Sequence, residues 1–261
     1  MIAGLIRPLV AASLFSSDRS LAIASTRVST RSSMWHRLAV LVLLLIAASA
    51  PLRAQQAMKR SAASIATVTF ELDFPESNPK HYSIAVDANG HARYECVGTI
   101  AQDSEEQTYR AEFEMSVSSR EKIFDWAKQA RFFAGNVDSG NGKIAFTGWK
   151  VLRYEDGQTS QSAKYNYSTV AAVRQLTALF QNMASTQDYG RRLSYYHHYQ
   201  KLALDDELKG MEAQARSNEL SEIQGVASIL QEILDDPSVI NGVRARAKAL
   251  IEMGNGTATK R

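Results

Sequence analysis

The spacing of apolar residues changes near residue 116, and this change constrains the fold more than any other feature. Before it, apolar and polar residues alternate, as Tyr82, Ile84 and Val86 do with the residues between them. Alternation is typical of a strand with one buried face in an antiparallel sheet. After it, apolar residues recur mainly at the spacing of amphipathic helices. The sequence predicts an α+β fold: a mainly antiparallel sheet with a packed helix, followed by a C-terminal all-helical region.

Several segments have the pattern of strands, and together they form the predicted sheet. Asn89-Gly90 lies between two of them and indicates a hairpin turn, because both residues accept a left-handed backbone. The predicted packed helix begins with Ser118 and Glu121 as a capping box and stops near Gly135. The predicted strands are 66–74, 81–87, 91–97, 109–115, 144–154 and 162–167.

The chain after Ser168 has the pattern of helices throughout. Ser168 is a suitable N-cap for an apolar stripe over 170–183, and a long helical stretch is predicted from about 187 to 216. A further helix covers about 219–234. The last helix is predicted to begin with Asp236 as N-cap and Pro237 as first residue, and to end at Gly254. The predicted organisation is a sheet domain at 55–168 and a helical region at 169–261.

An uncharged apolar run at residues 38–50 indicates the cellular location of the protein. The run follows Arg31 and Arg37 and leads to Ala54, which is the layout of a secretory signal peptide. It is shorter than the roughly 18 apolar residues that a membrane-spanning helix needs. We predict an export leader at 1–54, in which the signal peptide itself starts at Met34. The protein is then periplasmic or secreted, without stable membrane insertion after cleavage. A retained signal-anchor is the alternative.

Removal of the leader changes the charge of the chain. The leader holds six of the 30 Lys and Arg residues and one of the 27 acidic residues, so the remainder carries a net charge of −2. A mildly acidic protein lacks the clustered positive charge of nucleic-acid binders, and we predict no nucleic-acid partner. Cys96 is the single cysteine, which excludes an internal disulfide, and we predict that it faces inward from a strand.

The sequence contains no complete catalytic or metal-binding motif. The histidines after the leader, His81, His91, His197 and His198, do not have the spacing of metal ligands. The loop at 138–143 ends in Gly-Lys but is not followed by the Ser or Thr of a phosphate-binding loop. No GxSxG motif occurs. We therefore name no catalytic residue and predict neither a metal nor a cofactor.

Aromatic and basic residues concentrate at positions 190–201. A helical projection places Leu193, Tyr196, Leu204, Leu208, Met211 and Ala215 on one face. The roughly opposite face carries Arg191, Tyr195, His198, Tyr199 and Leu202. Two interpretations follow for this second face. It lies in a seam between the sheet and the later helices, or it binds a ligand, with Arg191 and His198 meeting an anion and Tyr195 and Tyr199 offering stacking area.

Two parts of the chain resemble known families. Tyr82, Ile84, Gly90 and Tyr94 fit a Y-x-I-x-x-x-x-x-G-x-x-x-Y core that resembles uncharacterised secreted bacterial α+β domains, although the cysteine-containing turn of such domains is absent. The helices at 219–234 and 237–253 are similar to a single HEAT-type repeat. The first resemblance implies a small α+β fold and carries no functional residues with it.

These observations favour an exported, soluble binding or protein-interaction module of a bacterial envelope that is not catalytic. Its expected partner is a protein or an anionic envelope component. The alternative is a secreted hydrolase whose active site uses His81 or His198 with a nearby Ser or Asp outside any known motif. A third possibility is a structural component of a secreted assembly, which would form oligomers.

Overall fold

The computed structural model describes residues 65–100 and 104–259. The predicted leader and its cleavage site, with the segment 55–64, lie outside the described residues. Within the two described ranges, no helix combines the length and the apolar character that a membrane crossing requires.

The predicted α+β class is confirmed, with a six-stranded sheet followed mainly by helices. The strands are β1 Thr67–Asp73, β2 His81–Asp87, β3 His91–Gly98, β4 Gln107–Glu114, β5 Trp149–Glu155 and β6 Ser160–Tyr165. The helices are α1 Val117–Gln129, α2 Ala171–Tyr199, α3 Leu204–Arg216, α4 Ala227–Asp235 and α5 Asn241–Thr259. Short 3₁₀ helices cover Arg131–Phe133, Lys201–Ala203 and Ile223–Val226. The strands lie in the order β4-β3-β2-β1-β5-β6, and every neighbouring pair is antiparallel.

The first hydrophobic core lies between one face of the sheet and two helices. Alternate residues of each strand point into it, and α1 adds Ile123 and Ala127. The first half of α2 adds Phe180, whose ring stacks on Phe70 of β1 at 5.4 Å between centroids. Cys96 is fully buried in this core, as the alternation predicts. The opposite face of the sheet carries the polar residues of the alternating pattern.

The second core consists of helices alone, and α2 belongs to both cores. Its 29 residues span about 43 Å. The last α2 residue of the first core is Ala184, and the second core begins at Tyr189. The predicted division between 168 and 169 falls just before this helix. The inward residues of the second core include Leu193, Leu204, Leu208 and Met211, as the helical projection predicts.

Two predicted helix starts are wrong, and the hydrogen bonds of Ser116 and Asp236 account for both. The N-cap of α1 is Ser116, not Ser118, and its hydroxyl accepts from the backbone N–H of Ser119 at 3.3 Å. The last helix, α5, begins at Asn241 instead of Pro237. Asp236 forms a turn, in which its carboxylate accepts from the backbone N–H of Ser238 at 2.8 Å.

Two further helix limits also differ from the prediction. The stretch predicted from 187 to 216 is interrupted at Gln200, whose φ of −146° and ψ of 62° are not helical. The helix α5 continues past Gly254, which is buried. A Cβ added at Gly254 would lie 3.1 Å from the backbone nitrogen of Gln224. Gly254 therefore allows α5 to approach the backbone at Gln224 closely, and it does not end the helix.

Gly190 provides a test of how tightly α2 packs in the second core. A Cβ added there would lie 2.5 Å from Cγ1 and 3.2 Å from Cβ of Val226. We expect Gly190→Ala to lower the free energy of unfolding by about 1–2 kcal/mol, because this overlap outweighs the gain in helix propensity. Urea unfolding measures the change.

Gly256, in α5, is the matched control because a Cβ there would meet nothing within 4 Å. Gly256→Ala is expected to be neutral or stabilising by up to about 1 kcal/mol. Val226→Ala in the Gly190→Ala background should recover part of the loss. Equal effects of Gly190→Ala and Gly256→Ala would contradict the contact.

Candidate functional site

The four residues predicted to bind a ligand are divided between the interior and the surface. Arg191 is 3% exposed, and its Nε and Nη2 donate to Oδ1 of Asp188 at 3.0 and 2.7 Å. Nη2 also donates to the backbone oxygen of Thr99 at 3.1 Å. Arg191 therefore joins α2 to the residue that follows β3, at the seam between sheet and helices.

Arg191 is one member of a group of charged residues that α2 and α3 contribute together. Asp188 also contacts the guanidinium of Arg192. Nε of Arg192 donates to Oε1 of Glu207 on α3 at 2.6 Å, and its guanidinium lies 4.6 Å from the ring centroid of Tyr189. The two arginines thus face two carboxylates, which offsets their charges in a partly buried place.

The other three predicted residues lie together near the end of α2. The rings of Tyr195 and Tyr199 are 5.0 Å apart, and those of His198 and Tyr199 are 4.4 Å apart. Tyr199 is 68% exposed, and Leu202, three residues later, is 93% exposed. We call Tyr195, His198, Tyr199 and Leu202 the helix-end patch. No sequence pattern separated these residues from Arg191, because all five share one side of the projected helix.

His197 takes part in a group that contains the residue types of a hydrolase triad. Its Nε2 lies 2.9 Å from Oδ2 of Asp236, which also accepts from Nζ of Lys201 at 2.6 Å. The Lys201 ammonium, followed by the hydroxyl and backbone N–H of Ser238, holds the pKa of Asp236 far below its ordinary value. The Ser238 hydroxyl donates to Asp236 at 2.7 Å. A triad serine donates to histidine instead, so this group has the geometry of a structural clasp.

A cavity of about 540 Å³ on the polar face of the sheet also brings histidine, carboxylate and hydroxyl groups together. His91 contacts Glu114, but both side chains are more than 60% exposed. The Thr67 hydroxyl donates to the backbone oxygen of Ile65 at 3.0 Å, away from His91. A nucleophile needs a base within hydrogen-bond reach, and the Thr67 hydroxyl is directed elsewhere. His81 and His198 of the hydrolase alternative are exposed on β2 and α2, respectively.

A smaller cavity of about 220 Å³ lies at the seam. We call it the seam cavity. Its walls come from β1, β2 and β3, the loop before β2, and α2: Leu72, Ser77, Asn78, Pro79, Tyr82, Tyr94, Gln181, Ala184, Ser185 and Asp188. Burial raises the pKa of Tyr94 far above its ordinary value; the Cys96 thiol adds to the rise and the Arg191 charge opposes it. Alternation marks Tyr94 only as an inward-facing residue, so Tyr94 is not among the predicted site residues.

A second aromatic surface lies at the start of β5 and is not among the predicted sites. Phe146 is 49% and Trp149 43% exposed, with ring centroids 5.5 Å apart. Nζ of Lys164 lies 4.7 Å from the centroid of the Trp149 ring. The alternation of β5 could have predicted this exposure. Leu152 and Tyr154 face inward, and Trp149, an odd number of residues away from each, faces the other side of the sheet. Lys150 lies two residues from Leu152 and therefore also faces inward. Its Nζ donates to oxygens of Thr147, Gly148 and Asn166.

Within residues 65–100 and 104–259, no group of three or more His, Cys, Asp or Glu side chains is placed to hold a metal ion. Comparison of the chain with models of protein families and with curated proteins found no match. The resemblances to secreted α+β domains and to a HEAT-type repeat stay predictions.

Proposed function

We propose that this chain is an exported binding module of a bacterial envelope that holds a partner protein at the helix-end patch and catalyses no reaction. The exposure of Leu202 and Tyr199, at 93% and 68%, carries the proposal. Export rests on the predicted leader at residues 1–54. The absence of an aligned nucleophile in the two histidine-containing groups, among the described residues, favours binding over hydrolysis.

The helix-end patch has the physical properties of a protein-contact surface. Burying an exposed Leu or aromatic side chain contributes about 1.5–3 kcal/mol, so two such residues can supply a large part of a binding energy. Tyrosine is enriched among the residues that dominate interface energies. A partner with an apolar pocket flanked by polar groups would suit Leu202 beside Tyr199 and His198.

The patch is presented on a rigid support. The helix α2 contributes to both cores, so its C-terminal end is held by Leu193 and by the partly buried Tyr196. His197, one residue before the patch residue His198, is tied to Asp236. A pre-ordered surface loses less conformational entropy on binding than a mobile one. Binding here therefore requires little reorganisation of the protein.

The double substitution Tyr199→Ser/Leu202→Ser tests the proposal. The full-length tagged chain is produced in a bacterium, and its complexes are recovered from envelope extract. We expect recovery of a stoichiometric partner to fall at least tenfold while the Tm stays within about 2 °C, because neither side chain belongs to a core.

Ile240→Ser is the matched control, since Ile240 is an apolar residue 63% exposed elsewhere in the helical region. It should leave partner recovery unchanged. Equal recovery by the wild type and the double variant would refute the patch as the binding surface. Turnover of a panel of esters or glycosides by the purified protein would favour the hydrolase alternative.

A further inference from the structure

Three aromatic rings form a row at the end of the sheet where β5 begins, and we call Phe74, Phe146 and Trp149 the aromatic row. The ring centroids of Phe74 and Phe146 are 6.0 Å apart, and those of Phe146 and Trp149 are 5.5 Å apart. Phe146 is 49% and Trp149 43% exposed, whereas Phe74 is half-buried against the first core. Single exposed apolar residues are common, but large ones that lie side by side mark an interaction surface.

Polar side chains hold the backbone on both sides of Phe146. The Asn166 amide accepts from the backbone N–H of Thr147 at 3.0 Å and donates to the backbone oxygen of Ala145 at 3.1 Å. Lys150 is 4% exposed, and its Nζ donates to the backbone oxygens of Thr147 and Asn166 at 3.1 and 3.0 Å. A buried ammonium that meets neutral oxygens is costly, and here it fixes a loop that presents an aromatic ring to solvent. The ring is therefore ordered before a ligand binds, which lowers the entropic cost of binding.

Two charged groups of opposite sign lie beside the Trp149 ring. Nζ of Lys164 lies 4.7 Å from the ring centroid. Asp73 is the direct partner of Trp149 in the register of β1 and β5, so the two side chains lie next to each other on the polar face of the sheet. Among the described residues neither Lys164 nor Asp73 forms an ion pair, although Glu71, two residues before Asp73, does so with Arg153. Both charges can therefore bond to a ligand.

An exposed ring with one acceptor and one donor beside it restricts the class of ligand. Asp73 repels an anion and Lys164 repels a cation, so an ion of either sign gains little from the pair. The centre of a protein interface is depleted of Lys and Asp, which disfavours a protein partner at this surface. A neutral sugar fits, because its C–H groups pack on an aromatic ring and its hydroxyls both donate and accept hydrogen bonds.

We propose that the aromatic row, together with Asp73 and Lys164, binds a neutral glycan of β-linked pyranose units. In β-1,4-linked glucose and N-acetylglucosamine the ring substituents are equatorial, so the flat faces of each sugar ring carry only C–H groups. One unit packs against the exposed part of Trp149 and directs its hydroxyls to the two charges, while Phe146 contacts the adjoining unit. This site is separate from the helix-end patch, and the inference does not rest on it.

Isothermal titration calorimetry of the full chain with cellohexaose and chitohexaose tests the proposal. We expect at least one of these neutral oligomers to bind with a Kd below about 1 mM. An oligomer of β-1,4-linked glucuronate, which has one carboxylate per unit, should bind at least threefold more weakly because Asp73 repels it. Free phenylalanine, an aromatic zwitterion, should not bind measurably. Failure of both neutral oligomers to bind, or equal binding of the glucuronate oligomer or of phenylalanine, would overturn the proposal.

Trp149→Ala and Trp149→Tyr separate the aromatic ring from the rest of the surface. Trp149→Ala should weaken binding of the neutral oligomer at least tenfold, whereas Trp149→Tyr, which keeps a ring, should weaken it less than about threefold. Ile240→Ser is the control, since it removes an exposed apolar side chain from the helical region. It should leave the affinity unchanged. Equal affinities of Trp149→Ala and Ile240→Ser would refute the site, and Trp149→Ala should still recover the partner of the helix-end patch.

Asp73→Asn tests the argument from charge. The amide still donates and accepts hydrogen bonds, so the affinity for the neutral oligomer should stay within about threefold of the wild-type value. The glucuronate oligomer should bind at least threefold more tightly than it binds the wild type, because repulsion by Asp73 is removed and Lys164 remains. A glucuronate affinity that Asp73→Asn does not change would show that Asp73 does not face the ligand, and it would refute the assignment.

Discussion

Arg191→Met is expected to lower the free energy of unfolding by about 3 kcal/mol. The guanidinium and its partner Asp188 have side chains only 3% and 9% exposed, so the substitution leaves a buried carboxylate without one of its two cationic partners. Breaking a buried ion pair from one side costs about 3–5 kcal/mol. Asp188 still contacts Arg192, which places the expected loss at the lower end of this range. The bond to Thr99 is also lost.

Urea unfolding followed by far-ultraviolet circular dichroism measures this effect. Arg174→Met is the control on the same helix, because Arg174 is exposed and bonds only locally, to the backbone oxygen of Thr169. It should change the free energy of unfolding by less than about 0.5 kcal/mol. Tyr195→Ala should also have a small effect, since Tyr195 is half-buried near the helix end. Equal losses for Arg191→Met and Arg174→Met would show that Arg191 does not support the seam.

Glu222→Ala is expected to cost about 2–3 kcal/mol of stability. Glu222 is 7% exposed, and its carboxylate accepts from the backbone N–H and the hydroxyl of Ser116 at 2.6 and 2.7 Å. Ser116 is the N-cap of α1. In a capping box, the carboxylate that accepts from the N-cap backbone N–H belongs to the same helix, whereas here it belongs to the distant Glu222. Hydrogen bonds to a charged group contribute about 1.5–3 kcal/mol, and their loss here leaves a buried N–H unpaired.

A double-mutant cycle with Ser116→Ala separates this contact from other effects of the substitution. The coupling energy between positions 116 and 222 should be at least about 1 kcal/mol, because the hydroxyl and the carboxylate interact directly. Glu219→Ala is the control, since Glu219 is exposed on the same connecting segment. A coupling energy near zero would contradict a stabilising contact between Ser116 and Glu222.

Strand positions were the most predictable part of the fold because alternation is local. The predicted strands 81–87 and 91–97 agree with β2 and β3 to within one residue, and Asn89-Gly90 lies at the turn between them. The predicted strand 144–154 is less accurate, since it begins five residues before β5. Helix faces were predictable for the same reason. Leu193, Leu204 and Met211 are all buried, although the helix is interrupted at Gln200 between the first and the second of them.

Helix ends and the candidate site were not predictable, because distant residues decide both. Nothing near Ser116 in the sequence indicates that Glu222 will complete its cap. Likewise, the projection placed Arg191 beside Tyr195 and Tyr199, but Arg191 is buried where it bonds to Thr99, the residue after β3. The seam cavity joins Tyr94 to Ser185, which no periodicity in the chain connects.

The sequence by itself determined the class of the fold and the inward faces of the strands and helices, since these depend on neighbours a few positions apart. It also determined the net charge after residue 54, which is a count of residues. Only the tertiary structure decided which polar residues are buried, where helices begin, and which side chains share a cavity. These features depend on groups that are brought together when α2 packs against the sheet and the later helices. Their free energy is therefore set by residues up to about a hundred positions away, and no local pattern records it.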